Sequence, residues 1–199
     1  PPLSVNGDGL TLGESAGGQI NSDLHSTVAW APVSRVTHSD GSIGHFPHII
    51  ERAKPGIIGV LSNGQRFVNE ANGYYDYVTA MVEQAPAGEP VASWLICTHD
   101  FQRRYGLGIS RPFPIPVGPF IQSGYLKSAY TLEGLARVCG IDTKGLQTTV
   151  DDYNRHAQTG QDPQFGRGST PYNRKQGDPL HKPNPCVAPI SKGPFYAVK

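Results

Sequence analysis

Short apolar runs between turn residues predict the strands of this chain. Residues 56–61 form one run, and the Asn63-Gly64 pair that follows is typical of a hairpin, with residues 66–68 as the returning strand. Residues 91–98 form a second run, which predicts a buried strand. The remaining candidate strands are residues 28–36, where an extended loop is the alternative, and the closing letters PFYAVK.

Apolar residues at helical spacing predict helices over residues 8–18, 75–84, 99–105, 131–139 and 143–158. Thr131 is the expected N-cap of the fourth of these helices. The prolines between residues 111 and 119 predict an extended loop, because proline donates no backbone hydrogen bond. Residues 160–194 contain turn residues without periodicity. Short strands and scattered helices together indicate a single α+β domain.

Composition narrows the class of protein. The 24 Gly and 18 Pro among 199 residues are about a fifth of the chain, against roughly 12% in an average protein, which predicts many turns. The 17 basic and 16 acidic side chains leave a net charge of +1, which argues against a nucleic-acid partner. No apolar run approaches the ~20 residues that span a bilayer.

The metal-binding residue types form no site in the sequence. Cys97, Cys139 and Cys186 are far apart and never form a CxxC pair, so a reducing cytoplasm is the expected compartment. His45 and His48 have no Cys or carboxylate cluster beside them, so we predict surface-loop histidines and no metal. Both ends of the sequence resemble boundaries inside a longer protein.

Three features could carry chemistry, and residue types alone leave each of them open. Residues 6–9 (NGDG) open a helix that could hold an anion, or Asp8 is simply its N-cap. Residues 165–168 (FGRG) present either an anion or carbonyl clamp or a solvated guanidinium in a flexible turn. Tyr74, Tyr75 and Tyr77 form either core packing or, where a neighbouring charge perturbs a phenol, a source of an acid or base.

Several segments resemble one superfamily of flavoproteins. Residues 64–70 (GQRFVNE) resemble the G-x-R-F-x-N-E motif of flavoproteins related to fumarate reductase and succinate dehydrogenase, and residues 6–9 resemble their [TN]-G-D-G motif. Within that superfamily the sequence is most similar to the 3-ketosteroid Δ1-dehydrogenases. The further matching segments are WAP at 30–32, NEA at 69–71 with Tyr74 and Asp76, FGRG at 165–168 with Tyr172, GD at 177–178, NP at 184–185, PI at 189–190 and GPFYAV at 193–198.

The resemblance implies a two-domain flavoenzyme with a loop-rich, α+β catalytic domain like that of the succinate dehydrogenase and fumarate reductase flavoproteins. Residues 1–20 are then the tail end of the FAD-binding domain, residues 21–190 the substrate-binding (catalytic) domain, and residues 191–199 the start of the return. The remaining FAD-binding domain of the same polypeptide is the implied partner. FAD therefore belongs to the full-length protein, and this chain alone is expected to bind it weakly or not at all and to be inactive.

The resemblance also assigns roles to individual residues. Tyr74 matches the tyrosine that removes a proton beside the ketone while hydride leaves for the flavin, with Arg66 or Asp76 as tuning neighbours. Tyr196 matches the tyrosine that hydrogen-bonds the ketone oxygen. Because Tyr75 adjoins Tyr74, which of the two faces the flavin stays open. The residues expected to contact the cofactor are Asn6, Asp8, Gly9 and Glu70.

The substrate class follows from one position in the match. Fumarate reductases carry a catalytic arginine where this chain has Tyr74. An arginine suits a dicarboxylate, whereas a tyrosine suits an uncharged ketone. The prediction is an FAD-dependent Δ1-dehydrogenase of a steroid-like 3-ketone that passes electrons to a membrane or redox-chain acceptor. A fumarate or other enoate reductase of the same superfamily and a non-catalytic ligand-binding domain are the alternatives.

Overall fold

The computed structural model describes residues 5–24 and 28–199, so the first four residues of the predicted 1–20 segment lie outside the described part. A short 3-10 helix spans Glu51–Ala53. In chain order the elements are α1 (Asp8–Ser15), β1 (Val33–Thr37), β2 (Ile43–Pro47), β3 (Ile57–Val60), α2 (Tyr74–Gln84), β4 (Trp94–Thr98), α3 (His99–Tyr105), α4 (Gly118–Gln122), β5 (Lys127–Ala129), α5 (Leu132–Cys139), α6 (Thr143–Ala157), α7 (Pro171–Gln176) and β6 (Phe195–Val198).

A four-stranded antiparallel sheet in the order β3-β4-β6-β5 forms the centre of the molecule. Every residue of β3, β4 and β6 is buried, which agrees with their nearly continuous apolar sequences. Because successive side chains of a strand point to opposite faces, these strands feed two apolar clusters, one on each side of the sheet. Strands β1 and β2 pair with each other in a separate two-stranded ribbon.

Helices cover both faces of the sheet. On one face α5 and α6 pack their apolar sides, and the hydroxyl of Thr131 accepts a hydrogen bond from the Gly134 amide, which makes it the N-cap of α5 as expected. On the other face lie Phe67, Tyr77 of α2 and Phe101 of α3. In the described part of the chain, none of the helices is long and apolar enough to cross a membrane.

The turn predicted at Asn63-Gly64 is present, with the Gly64 amide donating to the Leu61 oxygen, but the returning strand predicted at residues 66–68 is wrong. Residue 66 makes only an isolated antiparallel bridge with Val60, and the full ladder of β3 is formed with β4, more than thirty residues later in the chain. The physical reason is burial, because Arg66 turns its guanidinium into an interior ion network while Phe67 and Val68 pack into the core. Strands β2 and β5 and helices α4 and α7 were not predicted. Helix α4 begins inside the expected extended loop at 111–119, and α7 lies inside the segment expected to contain only turns.

Candidate active site

The motif segment, residues 64–70, leaves β3 by a turn that only glycine fits. Gly64 has φ +75°, and a Cβ built on it would lie 2.2 Å from the Leu146 amide nitrogen at the start of α6. A side chain would therefore be strained by the positive φ and would also collide with a backbone that cannot move aside. This contact fixes the beginning of the motif segment against α6.

The charged residues of the motif form a buried ion network. Arg66 donates from Nε and Nη2 to the two oxygens of Glu70, each at 2.8 Å. It also donates from Nη1 and Nη2 to the two oxygens of Asp162, again at 2.8 Å. The Gly59 amide of β3 donates to Glu70 Oε1 at 3.0 Å. Residues almost one hundred positions apart are therefore held together by bidentate, charge-assisted bonds.

Opposing effects act on the pKa values of this network. Burial alone raises the pKa of a carboxyl group, but the guanidiniums of Arg66 and Arg167 outweigh it and hold the pKa of Glu70 below its ordinary value. The pKa of Asp162 is lowered for the same reasons. The pKa of Arg66 is raised by these two carboxylates in spite of its burial. Both acids are therefore charged in the folded protein at neutral pH.

Arg167 of the FGRG segment is a clamp rather than a solvated side chain. It is 1% exposed and donates from Nη2 to the carbonyl oxygens of Arg52 and Lys54, each at 2.7 Å. Its Nη1 contacts Glu70 Oε2 at 3.2 Å. The alternative of a flexible turn with an exposed guanidinium is wrong, and the groups that Arg167 clamps belong to this chain.

Tyr74 is the one predicted catalytic side chain that reaches the surface. It is the first residue of α2 and is 39% exposed, whereas Arg66 and Tyr196 are buried. Tyr77, one turn further along α2, is 1% exposed, and its hydroxyl lies 2.9 Å from that of Ser93. Burial raises the pKa of Tyr77, so this phenol stays neutral. The tyrosine cluster is thus divided between core packing at Tyr77 and an accessible phenol at Tyr74.

Tyr196 lies in the middle of β6 and is 3% exposed. Its hydroxyl is 3.0 Å from Nδ1 of His99, the first residue of α3. Burial raises the pKa of Tyr196 above its ordinary value. The role of Tyr196 as the donor to a ketone oxygen stays a prediction, and a buried hydroxyl that already has a partner argues for a packing role.

The residues expected to contact the cofactor fall into two groups. Asn6, Asp8 and Gly9 lie at the start of α1, a helix without a single buried residue. A Cβ built on Gly9 would meet nothing within 4 Å, so the backbone here is open to close approach. Glu70 differs, because it is fully buried and both of its oxygens are bound by groups of this chain. The exposed trio fits a cofactor contact, and Glu70 does not.

A cavity of about 530 Å³ opens between the β1 strand and the ends of β4 and β6. Neither Tyr74 nor Tyr196 lines it. His48 does, and this residue is 3% exposed, with Nδ1 2.6 Å from Glu51 Oε1. The prediction of two surface-loop histidines is wrong for His48, which is buried. For His45 it is correct only in the exposure of the side chain, because His45 lies in β2. No pattern in the sequence predicted the contact between His48 and Glu51.

The comparisons with known proteins agree with this architecture. The sequence matches the FAD binding domain family over residues 1–199, and the chain belongs to that family. It is 42% identical to 4-oxocyclohex-2-ene-1-carboxylate 5-dehydrogenase of Sinomonas cyclohexanicum, over 100% of this chain and 34% of that protein. It is 32% identical to 3-oxosteroid 1-dehydrogenase of Mycolicibacterium smegmatis, over 99% of this chain and 34% of that protein.

Solved structures give the same result. The crystal structure of 3-ketosteroid delta1-dehydrogenase from Sterolibacterium denitrificans in complex with 1,4-androstadiene-3,17-dione is 33% identical, with a TM-score of 0.78 over 100% of this chain and 35% of that one. A flavocytochrome c3 fumarate reductase, 21% identical with a TM-score of 0.53 over 96% of this chain and 28% of that one, shares the fold. The chain thus spans about a third of the length of the relatives it matches.

These findings confirm the superfamily, the fold class and FAD as the cofactor of the family. The boundaries at residues 20 and 190 and the roles of individual site residues stay predictions. Where FAD is bound, Asn6, Asp8 and Gly9 are the side chains and backbone that this chain would offer it, on an exposed helix that packs little against the core.

Proposed function

We propose that the full-length protein is an FAD-dependent dehydrogenase that introduces a double bond beside a ring ketone, with Tyr74 as the general base. The observation that carries this proposal is the contrast within the motif region. Tyr74 presents an accessible phenol at the start of α2, while the neighbouring acid and arginine of the motif are buried and paired. A base must reach its substrate, and Tyr74 meets that condition.

In the proposed reaction, the carbon beside the carbonyl loses a proton to the phenolic oxygen of Tyr74. The electron pair of that C–H bond forms the new double bond as the adjacent carbon loses hydride, so the substrate gives up one proton and one hydride. FAD supplies the hydride acceptor. The negative charge that develops on the ketone oxygen requires a hydrogen-bond donor. The resemblance gives this role to Tyr196, whereas the burial of Tyr196 and its His99 partner favour packing.

The proposed substrate is a ring ketone that carries no carboxylate on the reacting carbons. The names of two relatives support this class, because one acts on a 3-oxosteroid and the other on a 4-oxocyclohexene carboxylate. A tyrosine base serves either ring. The two candidate substrates to compare are therefore a steroid-like ketone and a small ring ketone that bears a remote carboxylate. The proposed electron acceptor is a component of the membrane or of a redox chain.

Tyr74→Phe in the full-length protein is the direct test. We expect turnover to fall at least ~10²-fold, since a lost general base costs about that much or more. Tyr75→Phe is the matched control, because adjacent residues of a helix point about 100° apart. The control should keep turnover within about threefold. The turnover of both variants is measured by dye reduction and by the rate of flavin bleaching. An active Tyr74→Phe enzyme would remove this residue from the mechanism.

The substrate is tested on the same purified flavoprotein. Reduction of a dye is followed with 4-androstene-3,17-dione, with 4-oxocyclohex-2-ene-1-carboxylate and, in the reverse sense, with fumarate and a reduced viologen. We expect turnover with at least one ring ketone and none with fumarate. Turnover with fumarate alone would contradict the substrate argument from Tyr74.

A further inference from the structure

The turn that precedes Tyr74 is held by side chains from distant parts of the chain. Residues 70–72, which we term the 70–72 turn, present three backbone carbonyls just before α2 begins. Arg52 Nη1 donates to the Glu70 oxygen at 2.8 Å. Asn173 Nδ2 donates to the Ala71 oxygen at 3.0 Å. Both terminal nitrogens of Arg52 lie 3.5 Å from the Asn72 oxygen.

Asn173 adds a further link to the same turn. Its Nδ2 also lies 3.1 Å from the side-chain oxygen of Asn72. Its Oδ1 accepts hydrogen bonds from Asn69 Nδ2 at 2.9 Å and from the Gly168 amide at 3.1 Å. Through the Asn173 side chain, α7 is therefore hydrogen-bonded to the end of the motif segment, to the 70–72 turn and to the FGRG segment.

The two donors are themselves buried and make further contacts. Arg52 is 1% exposed, donates from Nε to the His48 oxygen at 2.7 Å and places its guanidinium 4.7 Å from the centre of the Tyr77 ring. Asn173 is fully buried. Each donor thus has several partners, and none of these bonds is exposed enough for water to replace it freely.

The start of α2 depends on this turn. Its N-cap is Gly73, which offers no side chain to bind the first amides. The 70–72 turn therefore decides where the first helical residue, Tyr74, lies. A displacement of about 1 Å of a catalytic group can cost about 10²-fold in rate.

We propose that Arg52 and Asn173 are positioning residues for the base, holding the 70–72 turn so that the Tyr74 phenol is presented in one orientation. This inference rests on the role proposed for Tyr74. Arg52 and Asn173 touch neither substrate nor cofactor in this proposal, and they act through the backbone that leads into α2.

The test is a double-mutant cycle in the full-length flavoprotein. Arg52→Lys keeps the positive charge but loses the planar fork that reaches two carbonyls. We expect a 10- to 100-fold fall in kcat with KM within threefold, together with a larger isotope effect for substrate deuterated beside the ketone. In a Tyr74→Phe background, Arg52→Lys should cause no further fall, because the residue it positions is already lost.

Lys54→Met is the matched control. Lys54 also donates to two backbone carbonyls, those of Gln176 at 2.7 Å and Gly177 at 2.9 Å, and neither residue belongs to the 70–72 turn. It should lower the thermal midpoint and leave kcat unchanged. If Arg52→Lys fails to fold, Asn173→Ala takes its place in the same cycle.

The outcomes separate the two proposals. If Tyr74→Phe retains turnover, the proposed base is wrong, and the positioning role fails with it. If Tyr74→Phe is slow but Arg52→Lys and Asn173→Ala only lower the thermal midpoint, Tyr74 stands as the base and the positioning role is overturned. Additive losses in the double variant would show that Arg52 acts independently of Tyr74, which also overturns it.

Discussion

At the scale of single residues, one carboxylate joins three parts of the chain. Glu70 forms ion pairs with Arg66 and Arg167, accepts a hydrogen bond from the Gly59 amide and is fully buried. Sequence could identify the motif that contains Glu70, because its letters are distinctive. It could not show that the acid faces inward, because the partner arginine of the FGRG segment lies 97 positions later.

The charge on Glu70 should govern acid stability. Because its folded-state pKa lies below the ordinary 4.5, its contribution is present above that value and is lost as pH falls through the folded pKa. Glu70→Gln leaves two buried arginines poorly paired, a loss of about 3–5 kcal/mol. We expect the thermal midpoint of the full-length protein at pH 7 to fall by about 2–4 °C, because the shift per kcal/mol becomes smaller as a protein becomes longer.

The control is Glu133→Gln, which breaks an exposed pair with Arg137 and should cost less than about 1 kcal/mol. Thermal scans from pH 7 down to about pH 3 check both variants. Glu70→Gln should lose less stability than the parent over the acid part of that range. An identical acid slope in the two proteins would show that other groups carry the effect.

Substitution of Tyr196 tests whether this residue has the packing role that its burial favours or the ketone-binding role that the motif match predicts. Its hydroxyl is inside the sheet and bound to His99, so Tyr196→Phe removes a hydrogen bond worth about 1 kcal/mol. We expect a small loss of thermal stability and a fall in turnover of less than tenfold. Steady-state kinetics decide the question, because a loss of ~10²-fold or more would instead establish the ketone-binding role taken from the resemblance.

At the scale of elements, the sequence pattern predicted most of the helices, because a helix depends on residues close together in the chain. Helix α3 was predicted with the bounds it has, and α5 and α6 differ by one residue at most at each end. These helices begin at clear caps and show an apolar face. Strands β2 and β5 were missed because three to five residues with few buried side chains carry no periodic signal. The pairing of β3 with β4 depends on a long-range contact that no window contains.

The glycine at the start of the motif segment gives an element-scale prediction. Gly64→Ala combines a positive φ with a collision against the Leu146 amide. Gly140→Ala is its matched control, since this residue has φ +70° and nothing within 4 Å of the added Cβ. Both variants bear the left-handed strain of about 1 kcal/mol, and overpacking adds about 1–3 kcal/mol at Gly64 alone. Equal thermal midpoints for the two variants would contradict the collision.

At the scale of the whole molecule, the protein divides into a buried sheet region and a helix that stands apart from it. The sheet, α5 and α6 form a continuous interior, whereas α1 has no buried residue and exposes Leu10 and Leu12. The residues of the candidate site follow the same division. The ion network and the 70–72 turn belong to the interior, while Asp8 and Gly9 belong to α1 and Asn6 precedes it.

Helix α1 should therefore depend on contacts outside the sheet region. An unpacked helix shorter than about 12 residues is marginal in water. In hydrogen exchange by mass spectrometry, we expect the amides of α1 to exchange rapidly in the 199-residue chain and slowly in the flavin-loaded full-length protein. The amides of β4 serve as the internal control and should be protected in both samples. Strong protection of α1 in the chain alone would refute this expectation.

The position of β6 has a consequence for biosynthesis. The last strand of the chain lies between β4 and β5, so it supplies the only pairing that joins β5 to the rest of the sheet in the described residues. Sixty-six positions separate Ala129 from Phe195, which a ribosome translates in roughly 3–13 s. Throughout that interval the nascent polypeptide carries an open edge on β4, the kind of surface that a molecular chaperone shields.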